Sequence, residues 1–175
     1  MTAAATLIIG GARSGKSRLA ERLAAVSGLA VTYIATATAG DEEMRERIAT
    51  HRARRPASWA VVEEPIRLAA ALGEHAAPGR CLLVDCLTLW LTNLLISPAP
   101  DCFQTERSAL METLPRLPGR LLMVTNETGL GIMPLGALTR RFADEAGWLN
   151  QELAAACDQV LLTVAGLPLT LKGTP

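Results

Sequence analysis

Six short aliphatic or β-branched runs punctuate the chain, at Leu7–Ile9, Val31–Ala35, Trp59–Val62, Cys81–Val84, Leu121–Thr125 and Val160–Val164. Each is apolar at successive positions, which is the pattern of strands covered on both faces of a parallel sheet. Helical spacing fills most of the intervals. Leu138, Phe142, Ala146, Leu149, Leu153 and Cys157 recur at steps of four or three, with Arg141, Asp144, Glu145 and Glu152 on other faces, and they predict one helix. Pro65 suits the first turn of a helix running to about His75, and Pro56 is placed to stop one that begins near Asp41. The apolar stretch from Cys81 to Ile96, interrupted by Asp85 and Asn93 and short for a membrane span, reads as a buried strand running into a helix. This alternation predicts an α/β fold: a mainly parallel sheet flanked by helices, right-handed crossovers, and ligands at the C-terminal strand edge. After Ala165-Gly166, Leu167–Leu171 is expected to return as an antiparallel hairpin strand that closes the sheet. Ser97-Pro98-Ala99-Pro100 is the most loop-like stretch, and no internal repeat is present.

Length and composition add that residues 1–175, half of them hydrophobic, suffice for one domain with a full core. Seventeen Lys and Arg balance seventeen Asp and Glu, so no global field draws the protein to nucleic acid or to an anionic membrane. Any anion site must be local. The first apolar run arrives within a few residues, without a basic flank or a small-residue cleavage pattern, so a soluble cytoplasmic protein without a signal peptide or stable membrane insertion is expected. Cys81, Cys86, Cys102 and Cys157 form no C-x-x-C pair and have no histidines at ligand spacing, which argues for reduced, structural thiols.

The local anion site is written in Gly10-Gly11-Ala12-Arg13-Ser14-Gly15-Lys16-Ser17, which follows Leu7-Ile8-Ile9 and opens an amphipathic segment at Arg18. It has the G-x-x-x-x-G-K-S spacing in its strand-loop-helix context and predicts a P-loop NTPase-type fold. Glycines let successive amide N–H groups point into one concavity, and the helix N-terminus adds partial positive charge. Lys16 can reach the β- and γ-phosphates of a nucleoside triphosphate, and the Ser17 hydroxyl is placed to ligate the bridging Mg2+.

A second acidic group is needed near that metal. Leu82-Leu83-Val84-Asp85 is an apolar strand ending in a carboxylate, which makes Asp85 the leading Mg2+ ligand. Glu127 is its rival, because Asn126 and Glu127 end another strand, although the same two residues suit a glycine-rich turn toward Gly129 and Gly131. His75, before Ala76-Ala77-Pro78-Gly79, reads as an inert helix C-terminus. Two readings of His51 stand side by side. It follows Met44 and Ile48 at helical spacing, as a core-facing residue does. It also lies among Arg52, Arg54 and Arg55, cations that favour a neutral, nucleophilic imidazole and bind polyphosphate.

These blocks, with Tyr33-Ile34-Ala35-Thr36, Asp41-Glu42-Glu43-Met44 through Pro56, Trp59, Glu63-Glu64-Pro65, Asp85 to Leu94 and Thr125-Asn126-Glu127, span nearly the whole chain. In their order and spacing they resemble the bifunctional adenosylcobinamide kinase/adenosylcobinamide-phosphate guanylyltransferases of cobalamin biosynthesis. The resemblance implies two reactions. ATP or GTP phosphorylates adenosylcobinamide; then GTP loses pyrophosphate, its GMP is held on the family's histidine, which falls on His51, and passes to adenosylcobinamide phosphate. It further implies that Gly10 to Ser17 hold the triphosphate, that Ala35, Thr36, Arg55, Glu63 and Asp85 complete the GTP site, and that the protein is a homotrimer. Two alternatives remain at this point: a monofunctional small-molecule kinase that forms no enzyme-bound nucleotide, and a nucleotide-dependent switch or assembly ATPase that binds a protein partner.

Overall fold

The computed structural model describes residues 4–38, 42, 45, 46, 49, 55–132 and 134–174. Seven strands form one sheet: β1 (Ala4–Gly10), β2 (Ala30–Ala35), β3 (Ala60–Glu63), β4 (Arg80–Asp85), β5 (Arg120–Asn126), β6 (Gln159–Val164) and β7 (Leu167–Lys172). Their order across the sheet is β3-β2-β4-β5-β1-β6-β7, with every pairing parallel except the β6-β7 hairpin. Five α-helices lie wholly among the described residues: α1 (Lys16–Ala25), α2 (Leu68–His75), α3 (Leu87–Ile96), α4 (Cys102–Thr113), which runs into a 3-10 turn at Leu114–Arg116, and α5 (Ala137–Ala156). No described helix is long and apolar enough to cross a membrane.

The uninterrupted apolar runs arise because the two-residue period of a strand feeds two cores. Leu7, Ile9, Leu82, Val84, Leu121 and Met123 pack with Leu91, Leu94, Leu110, Leu149 and Leu153 of α3, α4 and α5. Their neighbours Ile8, Cys81, Leu83, Leu122 and Val124 point the other way, onto Leu19, Ala20 and Ala24 of α1. Each central strand is therefore a hydrophobic run, and the polar residues collect at its ends. That distribution places the chemistry at the C-terminal edge of the sheet.

Three expectations are corrected, and one helix was not foreseen. The helix assigned to begin at Pro65 begins at Leu68, because Glu64 Oε1 accepts the N–H groups of Ile66 (3.0 Å) and Arg67 (2.8 Å) and shapes those residues into a turn. On α5 the stripe from Ala146 to Cys157 is buried, but Leu138 is 56% exposed, and its neighbours in the helix's first turn are exposed too. Helix α4 escaped the pattern because Phe103 and Leu110, seven residues apart, are its only fully buried side chains. The strand expected at Trp59–Val62 is Ala60–Glu63, so Glu63 rather than a loop ends it. The helix expected from Asp41 to Pro56 falls largely outside the described residues; Glu42, Arg45, Glu46 and Ala49 are helical.

Leu83, fully buried on β4, and Val61, 45% exposed on the edge strand β3, give a direct contrast. Leu83→Ala is expected to lower unfolding free energy by about 2–5 kcal/mol, through lost transfer energy and a residual cavity. Val61→Ala is expected to cost about 1 kcal/mol or less. Urea titration with an unchanged slope checks both.

Candidate functional site

The turn leaving β1 is set by what cannot fit in it. A Cβ on Gly10 would lie 2.4 Å from Ser14 Oγ and 2.7 Å from the carbonyl oxygen of Thr163. Gly15 is left-handed, with φ +96°, and faces the Cα of Gly166 at 3.0 Å from an added Cβ. Only glycine tolerates that combination of space and dihedral. The β6-β7 turn closes against the loop, where Gly166 N–H donates to Ser14 O at 2.8 Å. Within the loop Ser14 N–H donates to Gly11 O at 3.3 Å, and Arg13 is also left-handed, with φ 56°. Helix α1 then starts at Lys16 with Gly15 as its N-cap and no side-chain cap. Its first N–H groups face the concavity, which is the arrangement that binds phosphate. Lys16 is 9% exposed and its Nζ donates to Gly11 O at 2.9 Å, folded over the nest.

Sheet register assembles the other expected residues. Ala35 of β2 is opposite both Glu63 of β3 and Asp85 of β4, so Glu63, Ala35 and Asp85 form one row across three strand ends. Gly10 pairs with Asn126 of β5 and Thr163 of β6. Strand β5 therefore separates the P-loop strand from the strand that ends in Asp85. At that end Tyr33 donates its hydroxyl to Asp85 Oδ2 at 3.0 Å. Burial first, then the charge of Asp85, hold the Tyr33 phenol far above its ordinary pKa, so it remains a donor. The Arg55 guanidinium stacks on the Tyr33 ring, 3.3 Å from its centroid, and buries its Nε without a hydrogen-bond partner. Ser17, in the first turn of α1, and Asp85 supply hard oxygen donors of the kind Mg2+ takes beside substrate phosphates. These donors and the glycine cradle fit a magnesium nucleotide.

Behind the row lies a polar layer in which the sequence singled out Thr36 and Asn126 but not their partners Thr88, Asn93 and Asn150. Thr36, fully buried, donates to Cys86 O (2.7 Å) and accepts Cys86 N–H (3.0 Å). Asn93 of α3 donates to Thr36 O (2.8 Å) and Pro65 O (3.1 Å). Thr88 accepts Asn126 N–H at 2.8 Å, while Asn150 of α5 donates to Asn126 O at 3.1 Å and receives the Thr125 hydroxyl at 3.0 Å. Side chains from two helices and from the loop after β2 thus satisfy the backbone where the strands end. Asn93 had an available signal: a polar residue on a stripe otherwise made of Trp90, Leu91 and Leu94.

The structure thus brings Gly10 to Ser17, Ala35, Thr36, Arg55, Glu63 and Asp85 to one sheet edge. Glu127 differs from Asp85: its N–H donates to Gly10 O (3.0 Å) and its Oε1 accepts Gly129 N–H (2.6 Å), so it shapes the turn. His51, Arg52 and Arg54 lie outside the described residues. His75 closes α2 as expected.

A glycine nest heading a helix on an inner strand of a parallel sheet defines a P-loop nucleotide-binding protein. The P4 protein of bacteriophage phi6, solved with ADP, shares this fold, with a TM-score of 0.52 and 14% identity over 95% of this chain and 54% of that one. A protein of Pyrococcus horikoshii OT3 does so with a TM-score of 0.58 and 10% identity, over 100% of this chain and 89% of that one. Sequence is more specific: residues 6–171 match the cobinamide kinase / cobinamide phosphate guanyltransferase family, and the chain belongs to it. It is 67% identical over 169 residues to the bifunctional adenosylcobalamin biosynthesis protein CobP of Pseudomonas aeruginosa, covering 97% of this chain and 98% of that protein. It is 39% identical over 179 residues to the corresponding protein CobU of Escherichia coli K12, covering 95% and 98%. The protein is therefore a transferase, and the switch-ATPase alternative is set aside.

Cys86 tests the closed character of this edge. Burial, then the charge of Asp85, push its thiol up to about 11. At pH 8 iodoacetamide is expected to alkylate Cys86 slowly, and the rate should climb toward pH 11 as the thiolate forms. Peptide mass mapping against pH checks this; a thiol titrating near the ordinary cysteine value would contradict it.

Proposed function

We propose that the chain carries out both reactions of its family on one nucleotide site, phosphorylating adenosylcobinamide with ATP or GTP and then transferring GMP to the product through His51. The observation that carries this reading is the junction of the glycine nest with the Asp85–Tyr33–Arg55 cluster at one sheet edge. In the kinase step the aminopropanol hydroxyl oxygen attacks the γ-phosphorus. A new O–P bond forms, the β,γ-bridging bond breaks, the hydroxyl proton departs, and a nucleoside diphosphate leaves. Gly10 to Ser17 bind and orient the phosphates, and Lys16 meets the charge that develops on the bridging oxygen. Ser17 and Asp85 would hold Mg2+ beside the phosphates, where it would supply charge neutralisation.

In the second reaction the His51 imidazole attacks the α-phosphorus of GTP, forming an N–P bond as the α,β-bridging bond breaks and pyrophosphate leaves. A phosphate oxygen of adenosylcobinamide phosphate then attacks the same phosphorus. The N–P bond breaks, the imidazole is released, and adenosyl-GDP-cobinamide forms. A neutral imidazole divides a displacement between two anions into two easier ones. Arg55, four residues after His51 in the sequence, stacks beside Asp85, which supports the same nucleotide serving both steps. We read the assembly as a homotrimer. The number of subunits comes from the family resemblance alone, and the edge strand β7, where Leu167, Leu169 and Leu171 are 72%, 58% and 56% exposed, offers an apolar surface for subunit contact.

Incubation with GTP labelled at the α-phosphorus is expected to leave one acid-labile, base-stable label per chain, mapped to His51. His51→Asn should lose the label and guanylyl transfer while keeping most kinase activity, since phosphoryl transfer relies on positioning and electrostatics. Label on His75, or guanylyl transfer by His51→Asn, would overturn the role given to His51, whereas no label at all would favour the plain kinase. Lys16→Ala should depress both reactions, with nucleotide binding weakened by about 1.5–3 kcal/mol, as for a lost charge-assisted hydrogen bond. Isothermal titration and the two activity assays check that variant.

A further inference from the structure

Tyr33 is the only tyrosine of the chain, and it is 2% exposed on an inner strand. Its ring sits among Ile8, Val31, Cys81 and Leu83, an environment that a phenylalanine would fill equally well. The hydroxyl is what needs explaining, and register explains where it goes. Tyr33 is opposite Leu83 across the β2-β4 pair, and Asp85 is two residues further along β4. The two-residue period puts Leu83 and Asp85 on the face that Tyr33 occupies, so the phenol reaches diagonally to the carboxylate at the strand end. Its hydroxyl donates to Asp85 Oδ2 at 3.0 Å, and its ring carries Arg55 at 3.3 Å. One side chain thus touches the acidic and the basic group of the candidate site.

We infer that Tyr33 is a positioning residue for the magnesium nucleotide: its hydroxyl fixes the rotation of the Asp85 carboxylate, and its ring seats the Arg55 guanidinium for the triphosphate. The carboxylate half rests on the reading of Asp85 as a metal ligand. A hydrogen bond to a ligating carboxylate orients it, and the loss of such outer-layer partners weakens metal binding by about 10- to 100-fold. Stacking of a guanidinium on a buried ring restricts a side chain that otherwise samples many rotamers.

Two substitutions separate the halves. Tyr33→Phe removes the hydroxyl and keeps the ring; Tyr33→Leu removes both. Mn2+ binding is measured by electron paramagnetic resonance on protein saturated with α,β-methylene-GTP, which cannot guanylylate the enzyme. Tyr33→Phe is expected to weaken Mn2+ binding about 10-fold or more, while metal-free affinity for the analogue stays at the wild-type value. Tyr33→Leu should also lower that metal-free affinity, by about 2- to 30-fold for a lost cation–π contact. Thermal melts fix a temperature at which all variants are folded. Because the chain has one tyrosine, 3-fluorotyrosine gives one fluorine resonance. That resonance should shift when Mg2+ joins the analogue complex, and the shift should vanish in Asp85→Asn. If Asp85→Asn leaves Mn2+ binding unchanged, the metal reading of Asp85 fails and the carboxylate half falls with it. If Asp85→Asn weakens binding and Tyr33→Phe does not, or the fluorine signal ignores the metal, only the inference about Tyr33 is overturned. Equal metal-free affinities for the Phe and Leu variants overturn the Arg55 half.

Discussion

The absence of side chains at Gly10 and Gly15 is the constraint on which the remaining geometry depends. With a Cβ at Gly10 the loop would collide with its own Ser14 and with the backbone of β6, and at Gly15 the backbone would be forced through a left-handed dihedral against the hairpin turn. Because both positions are bare, the chain reverses within a few residues and α1 starts with its N–H groups facing the concavity. The nest is thus held between β1, the β6-β7 turn and the Glu127 N–H that donates to Gly10 O. Its shape is fixed by the sheet, before any ligand arrives, and such preorganisation is what makes fixed dipoles effective toward phosphate.

The order of strands decides what the nest can work with. Strand β5 intervenes between β1 and β4, which leaves Asp85 one strand removed from the loop and in register with Ala35 and Glu63. Ending several parallel strands together exposes backbone groups that need partners, and Thr36, Thr88, Asn93 and Asn150 supply them from the flanking helices and loops. Those bonds hold the row of strand ends rigid. The helices therefore cover the core and also fix the edge proposed for the nucleotide.

Much of this was legible in the sequence because its causes are local. Central strands covered on both faces must be apolar at successive positions, so they announced themselves by composition, the exposed edge strand β3 was found from a shorter aliphatic run, and Ala165-Gly166 marked the hairpin that adds the seventh. The P-loop is a contiguous motif, and the order of blocks down the chain carried the family. The pairings of the polar layer were not legible because the partners are far apart: 52 residues separate Tyr33 from Asp85, and 57 separate Asn93 from Thr36. Nothing in a linear pattern distinguishes a tyrosine that completes a core from one that also grips a carboxylate. Pro65 misled for a related reason, since Glu64 turns the chain locally and delays the helix to Leu68.

In the proposed function one nest serves both nucleotides and both reactions. Equilibrium dialysis with β,γ-imido-ATP and α,β-methylene-GTP, alone and in competition, tests it most directly. One analogue bound per chain at saturation is expected, with each displacing the other completely, and both should be lost in Gly10→Ala, whose new Cβ would strike Ser14 Oγ. Two nucleotides bound per chain, or a GTP analogue that an excess of the ATP analogue cannot displace, would contradict it.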